Sequence, residues 1–162
     1  MPYLIDANVF IQAKNLHYGL DFCPAFWQWL LKAHEAGAVY SARKVADELV
    51  GGNDELANWA ATCPESFFLP TEKAIPAFAI VAQWAQSQKY EAAAVSTFLQ
   101  IADFTLVATA KSQGYVVVSH EVPSASLKRI KIPDACLGMA VECIQPFEML
   151  RRERARFVLG KP

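Results

Sequence analysis

No glycine follows the first apolar run of this chain. The opening reads MPYLIDANVFIQ, and the first glycine is Gly19. A dinucleotide-binding βαβ unit needs glycines in that turn to let the pyrophosphate approach the backbone, so that class is excluded. Cysteine is scarce: Cys23, Cys63, Cys136 and Cys143 form no C-x-x-C pair, and no Cys/His cluster has zinc spacing. Cys136 and Cys143 lie on one face if that stretch is helical, and read as small core residues. No apolar run reaches membrane-spanning length, and no basic start with an apolar h-region opens the chain. The expectation is a soluble, reduced, cytoplasmic protein.

What is present is material for a core. The 162 residues fit one domain, 1–162, and are 54% hydrophobic, with four tryptophans and ten phenylalanines. Such content argues against disorder. The net charge of -1 hides an asymmetry. Residues 1–127 carry seven Lys and Arg against twelve Asp and Glu, whereas residues 128–162 carry eight against four. Lys128, Arg129, Lys131, Arg151 and Arg152 are therefore candidates for gripping a phosphate backbone; a solvated helix face explains them equally well. Trp27, Trp29 and Trp84 suit either an interface or ordinary core packing.

Short apolar runs alternate with helical patterns. PYLIDA, AVYS (38–41), SFFLP (66–70) and YVVVS (115–119) read as strands, with IQPF as a last edge strand. Helices are expected over 24–35, 42–50, 54–63, one or two within 72–100, and from Asp103 to a stop at Gly114. A further helix is expected from IPDACLGMAVEC, and a helix or tail from EMLRRERARFVL. The alternation predicts an α/β fold with a mostly parallel sheet of four or five strands, covered on both faces. Functional clefts in such sheets lie beyond the carboxyl ends of the strands.

Asp6 occupies such a position, directly after Leu4 and Ile5, and aspartate is depleted in strands. Glu121 follows the YVVVS strand in the same way. Asp103 opens a helix, where it serves equally as a cap or as a ligand. Glu48 falls on the flank of the apolar face of VADELV, and Asp47 reads as the solvated acid of the pair. If these four carboxylates meet, repulsion is severe: two charges ~4 Å apart cost about 4 kcal/mol at an effective dielectric near 20. They must take up protons or bind a cation. A hard divalent ion with oxygen ligands, Mg²⁺ or Mn²⁺, is the simplest solution.

LIDANVF with Asp6, VADELV with Glu48, and IADFTLVATAKSQGYVVVSHE with Asp103 and Glu121 together resemble the PIN-domain superfamily of metal-dependent ribonucleases. The chain is similar to VapC-type toxins and looks closest to a PIN-like branch of unknown function. The resemblance implies a three-layer α/β/α fold with strand order 3-2-1-4-5, so that Asp6 and Glu121 face one cleft. It implies an endoribonuclease acting on RNA, with Asp6, Glu48, Asp103 and Glu121 as metal-binding and catalytic residues. It further implies a homodimer, often the toxin partner of an antitoxin protein. Asn8 stands where relatives carry a small polar residue supporting the metal, and also reads as a helix N-cap. The family's Asp-rich turn is replaced here by Ser119-His120-Glu121. Asp134 in IPDAC is a further candidate acid, equally suited to a helix first turn, and His120 a candidate for proton transfer.

Two other readings compete. Haloacid-dehalogenase-like phosphatases also place an Asp after the first strand, but resemble D-x-D-x-[TV]; Asn8 stands where their second Asp would be. A non-catalytic RNA- or protein-binding module with a vestigial site is the remaining alternative.

Overall fold

β1 (Tyr3–Ile5) is buried along its whole length, as a central parallel strand covered on both faces must be. The computed structural model describes residues 1–160. Five strands form one sheet: β1, β2 (Val39–Ala42), β3 (Phe68–Leu69), β4 (Val116–Val118) and β5 (Cys143–Ile144). Their order is β3-β2-β1-β4-β5, and every pairing is parallel. Leu4 stands opposite Tyr40 on one side and Val117 on the other, and Ile5 opposite Val118.

That order reverses direction between β1 and β4. Right-handed crossovers then send the helices to opposite faces. The connections leading to β2 and β3 hold α1 (Ala7–Gln12), α2 (Pro24–Glu35), α3 (Arg43–Gly51) and α4 (Glu55–Thr62). Those leading to β4 and β5 hold α5 (Ile75–Ser87), α6 (Ala92–Gln100), α7 (Ala102–Gln113) and α8 (Ile132–Gly138), and α9 (Pro146–Arg152) follows β5. The architecture is the expected three-layer α/β/α. α1 continues into a π-helical turn, Ala13–His17, which nothing in the sequence announced.

Three local expectations need correction. The helix from Ile132 stops at Gly138 instead of running on through Glu142 and Cys143. Cys143 therefore lies on β5, not on one helix face with Cys136. The two thiols still meet across α8 and β5, and that hydrogen bond together with burial pushes the Cys136 thiol up. The last strand is also earlier than IQPF, because Pro146 begins α9. Gly138 is needed where it stands: a Cβ there would lie 2.2 Å from Trp84 Nε1. Trp84 thus packs on α8, Trp27 is buried and donates to the Tyr18 carbonyl at 2.6 Å, and Trp29 packs against the core.

α6 and α7 meet at Ile101 with a bend of 71°. Residues 105–110 of α7 are buried, and α7 packs against β2 and β4. Gly114 ends α7 in the left-handed conformation, φ +76°, which glycine adopts without strain. The bend brings the first turn of α7, with Asp103, to the carboxyl end of the sheet. Among the described residues no single helix is long and apolar enough to cross a membrane.

Candidate metal and active site

Asp6 is the N-cap residue of α1, in extended conformation, but its side chain makes no capping hydrogen bond. Its backbone amide completes the ladder to β4 by donating to Val118 O at 2.9 Å. Its carboxylate is directed elsewhere: Ser119 Oγ donates to Asp6 Oδ2 at 2.9 Å. Ser119 also accepts from Asn8 Nδ2 at 3.2 Å and from the Glu121 amide at 3.1 Å. Asn8 Oδ1 accepts the His120 amide at 3.1 Å. This small network fastens the turn after β4 to the start of α1. Asn8 is a residue inside α1 rather than its cap, and both ends of its amide are used. The Ser41 hydroxyl donates to Ile5 O at 2.6 Å and fixes the strand end just before Asp6.

Burial dominates the electrostatics. Asp6 is 5% exposed, and desolvation, then the charge of Asp103, pushes its carboxyl up to about 8 despite the Ser119 hydrogen bond. Glu121 adds to the same rise. Asp103, in the first turn of α7, is pushed up to about 6, first by desolvation and then by Glu121, with Glu48 adding. Arg129 and Lys131 act against that rise. The structure thus brings Asp6, Asp103 and Glu121 into mutual electrostatic range, and Glu48 into range of Asp103.

Glu121 is the acid with cations beside it. Arg129 Nη2 lies 3.6 Å and Lys131 Nζ 4.0 Å from Glu121 Oε1. That oxygen is buried and has no hydrogen-bond partner, one of two such buried side-chain atoms among the described residues; the other is Thr105 Oγ1. A cavity of about 500 Å³ opens beside these groups, lined among others by Lys44, Asp47, Glu48, Gln100, Asp103 and Arg129. Asp47, read as the solvated member of its pair, lines this cavity together with Glu48, and both are exposed. Among the described residues no group of three His, Cys, Asp or Glu side chains is close enough, as it stands, to hold a metal ion.

A family model described as a domain of unknown function (DUF4411) matches residues 3–157. The chain belongs to the DUF4411 family. No curated protein and no solved structure matches it. The matched stretch of this DUF4411 chain contains all four acids and the whole Asn8–Ser119 network.

The other candidate residues are placed differently. Asp134 accepts the Ser124 amide at 3.1 Å, which pins the loop between β4 and α8 rather than joining the acids. His120 packs between His17 and Phe147, ring centroids 5.3 and 5.6 Å away, and burial followed by His17 lowers its pKa. Arg129 and Lys131 belong to the acid cluster itself. Lys128 is exposed on the same loop, while Arg151 is exposed on α9. Arg152 is engaged by Glu142 at 2.8 Å and Glu148 at 3.1 Å, away from the acids. Ser119 and Lys44 were not singled out as functional from the sequence. Ser119 had a signal: it immediately follows the strand that ends beside Asp6. Lys44 had none.

Proposed function

We propose that this chain is a Mg²⁺- or Mn²⁺-dependent endoribonuclease, the toxin component of a toxin–antitoxin pair, acting in the cytoplasm as a homodimer with an antitoxin protein as partner. The observation that carries the catalytic part is the crowding of Asp6, Asp103 and Glu121, with two of those carboxyls raised to about 8 and about 6. Charges crowded in this way destabilise one another unless a proton or a cation relieves them. The donor set fits a hard ion, being all carboxylate oxygen, and Glu121 Oε1 is a buried acceptor lacking a hydrogen bond. Asp6, Asp103 and Glu121 would hold the ion, with Glu48 joining from the cavity wall. Bound there, the ion supplies a water of lowered pKa and offsets charge building on a phosphodiester.

The chain's own residues prepare that site. Ser119 and Asn8 orient Asp6, in the way that outer hydrogen bonds orient ligating groups. Arg129 and Lys131 balance Glu121 while no ion is bound and are then free to meet phosphate oxygens. The toxin role, the antitoxin and the homodimer rest on the resemblance of LIDANVF, VADELV and IADFTLVATAKSQGYVVVSHE to the PIN-domain superfamily.

One observation favours a second reading, a non-catalytic RNA- or protein-binding module: Glu121 already has two cations of the chain beside it. Calorimetry with Mn²⁺ on the wild type and on Asp6→Asn separates the two. Uptake of heat-detected metal by the wild type alone supports the nuclease; equal behaviour favours the binding module. Expression of both forms in a host, followed by mapping of RNA ends, tests the activity. Growth arrest with discrete new ends for the wild type only is the expected result.

A further inference from the structure

Next to the acid-lined cavity lies a smaller one of about 190 Å³ with a different character. α6 supplies Ala94, Thr97 and Phe98 to its wall, Ile101 at the helix bend adds a fourth, and Ile130 closes it from the loop between β4 and α8. No carboxylate lines it, and Lys128 and Arg129 complete the lining. Ile101 and Arg129 line both cavities, so the two share a wall. The loop is held in place here: the Glu91 amide donates to Leu127 O at 2.9 Å and the Ser124 amide to Asp134 at 3.1 Å.

The geometry points to a nucleobase slot: an unstacked base of single-stranded RNA enters the apolar cavity while its phosphate meets Lys128 and Arg129. This deepens the ribonuclease reading and rests on it for RNA as the occupant. The chemistry of the walls selects the ligand. An apolar cavity with cations at its edge suits a flat ring attached to an anion. At about 190 Å³ it is smaller than the ~300 Å³ at which pockets for whole small molecules begin, so it admits one ring and not a complete nucleotide. A base in a duplex is stacked and paired and cannot enter without being flipped out, whereas a single strand presents its bases freely. Thr97, the hydroxyl-bearing residue of the wall, is exposed and within the same helix turn as Phe98. Arg129, with a side chain 61% exposed, can exchange Glu121 for the phosphate of the seated nucleotide.

The test measures binding without cleavage. Fluorescence anisotropy in EDTA compares a labelled oligouridylate with an abasic ribose-phosphate chain of the same length, on the full wild-type chain. The oligouridylate is expected to bind about tenfold more tightly, the gain from taking one ring out of water into an apolar slot. Ala94→Leu and Thr97→Leu each fill the slot and are expected to reduce oligouridylate affinity to the abasic level, with the melting temperature confirming the fold. Thr97 is exposed, so its variant carries the test if Ala94→Leu does not fold. Equal affinities in the wild type, or a base preference that survives Thr97→Leu, overturn the slot. A base preference without any Mn²⁺-dependent cleavage supports the slot and overturns the nuclease. Cleavage without a base preference does the reverse.

Discussion

The two ends of the same parallel strands treat carboxylates in opposite ways. At the amino end, Tyr3 donates to Glu153 at 2.8 Å, and Arg152 holds Glu142 at 2.8 Å. Each acid there has a donor of its own, and the Arg152 hydrogen bond lowers the pKa of Glu142. At the carboxyl end, Asp6, Asp103 and Glu121 share fewer donors than they need. Burial and mutual repulsion raise two of them, and a buried oxygen of Glu121 lacks a hydrogen bond. Folding selects against such crowding unless something outside the chain relieves it, because burying a charge is costly without a partner. One end of the sheet satisfies its acids within the chain; the other leaves them for the proposed metal to relieve.

Changing an acid at the carboxyl end should have the largest effect. Asp6→Asn or Asp103→Asn is expected to reduce Mn²⁺-dependent RNA cleavage by about a hundredfold or more, since even outer-shell changes cost 10–100-fold. Gel assays on purified protein check this. Arg152→Ala should leave the rate essentially unchanged, because its partners Glu142 and Glu148 are not among the acids that would hold the ion. Comparable losses at both ends would break the contrast.

Ser119→Ala comes next. It removes the hydroxyl that donates to Asp6 Oδ2, and calorimetry should find Mn²⁺ affinity lowered by about 10-fold to 100-fold. An unchanged affinity would mean that Asp6 needs no orientation.

The third expectation concerns pH. Asp6 has a folded pKa of about 8 against an ordinary value of 3.8, so the folded chain holds that proton more tightly than the unfolded one. The stabilisation is complete below about pH 4 and is lost as pH rises through about 8; Asp103 contributes in the same direction up to about 6. Denaturant melts of the metal-free protein should show stability falling across that window, by at most about 1.4 kcal/mol per pH unit for each proton. Asp6→Asn should flatten the curve, and saturating Mn²⁺ should do the same for the wild type. A metal-free curve as steep in Asp6→Asn as in the wild type would remove Asp6 as the cause.

The smallest effect belongs to the amino end. Tyr3→Phe removes the hydrogen bond to Glu153, which is exposed and regains water, and should cost about 0.5–1.5 kcal/mol of stability, with cleavage unchanged. The same variant should leave the pH window of the previous experiment in place.

Much of this was legible in the linear chain, and for identifiable reasons. The run Leu4–Ile5 ending in Asp6, and Val116–Val118 ending in Ser119, are short buried strands whose exits are marked by polar residues. Local pattern is enough to find them. The stop at Gly138 was missed because IPDACLGMAVEC keeps its apolar character past the glycine, and only the contact with Trp84 shows why a glycine is needed there. Glu48 and Asp47 could not be sorted by helical phase alone. Phase puts Glu48 on the flank of the apolar face of α3 and Asp47 roughly opposite, yet the neighbouring cavity is lined by both. The approach of Arg129 and Lys131 to Glu121 was equally hidden, since a loop without periodicity separates them.

What the sequence alone determined is the alternation of buried strands and amphipathic helices, and with it the carboxyl edge where Asp6, Asp103 and Glu121 gather. Hydrophobic periodicity is a local property, and a parallel sheet follows from it. The tertiary structure decided which cations stand beside Glu121, which hydroxyl holds Asp6, and that an apolar slot adjoins the acids. Those depend on distances between residues far apart in the chain, such as the 2.9 Å from Ser119 to Asp6, and no local pattern encodes a distance across a fold.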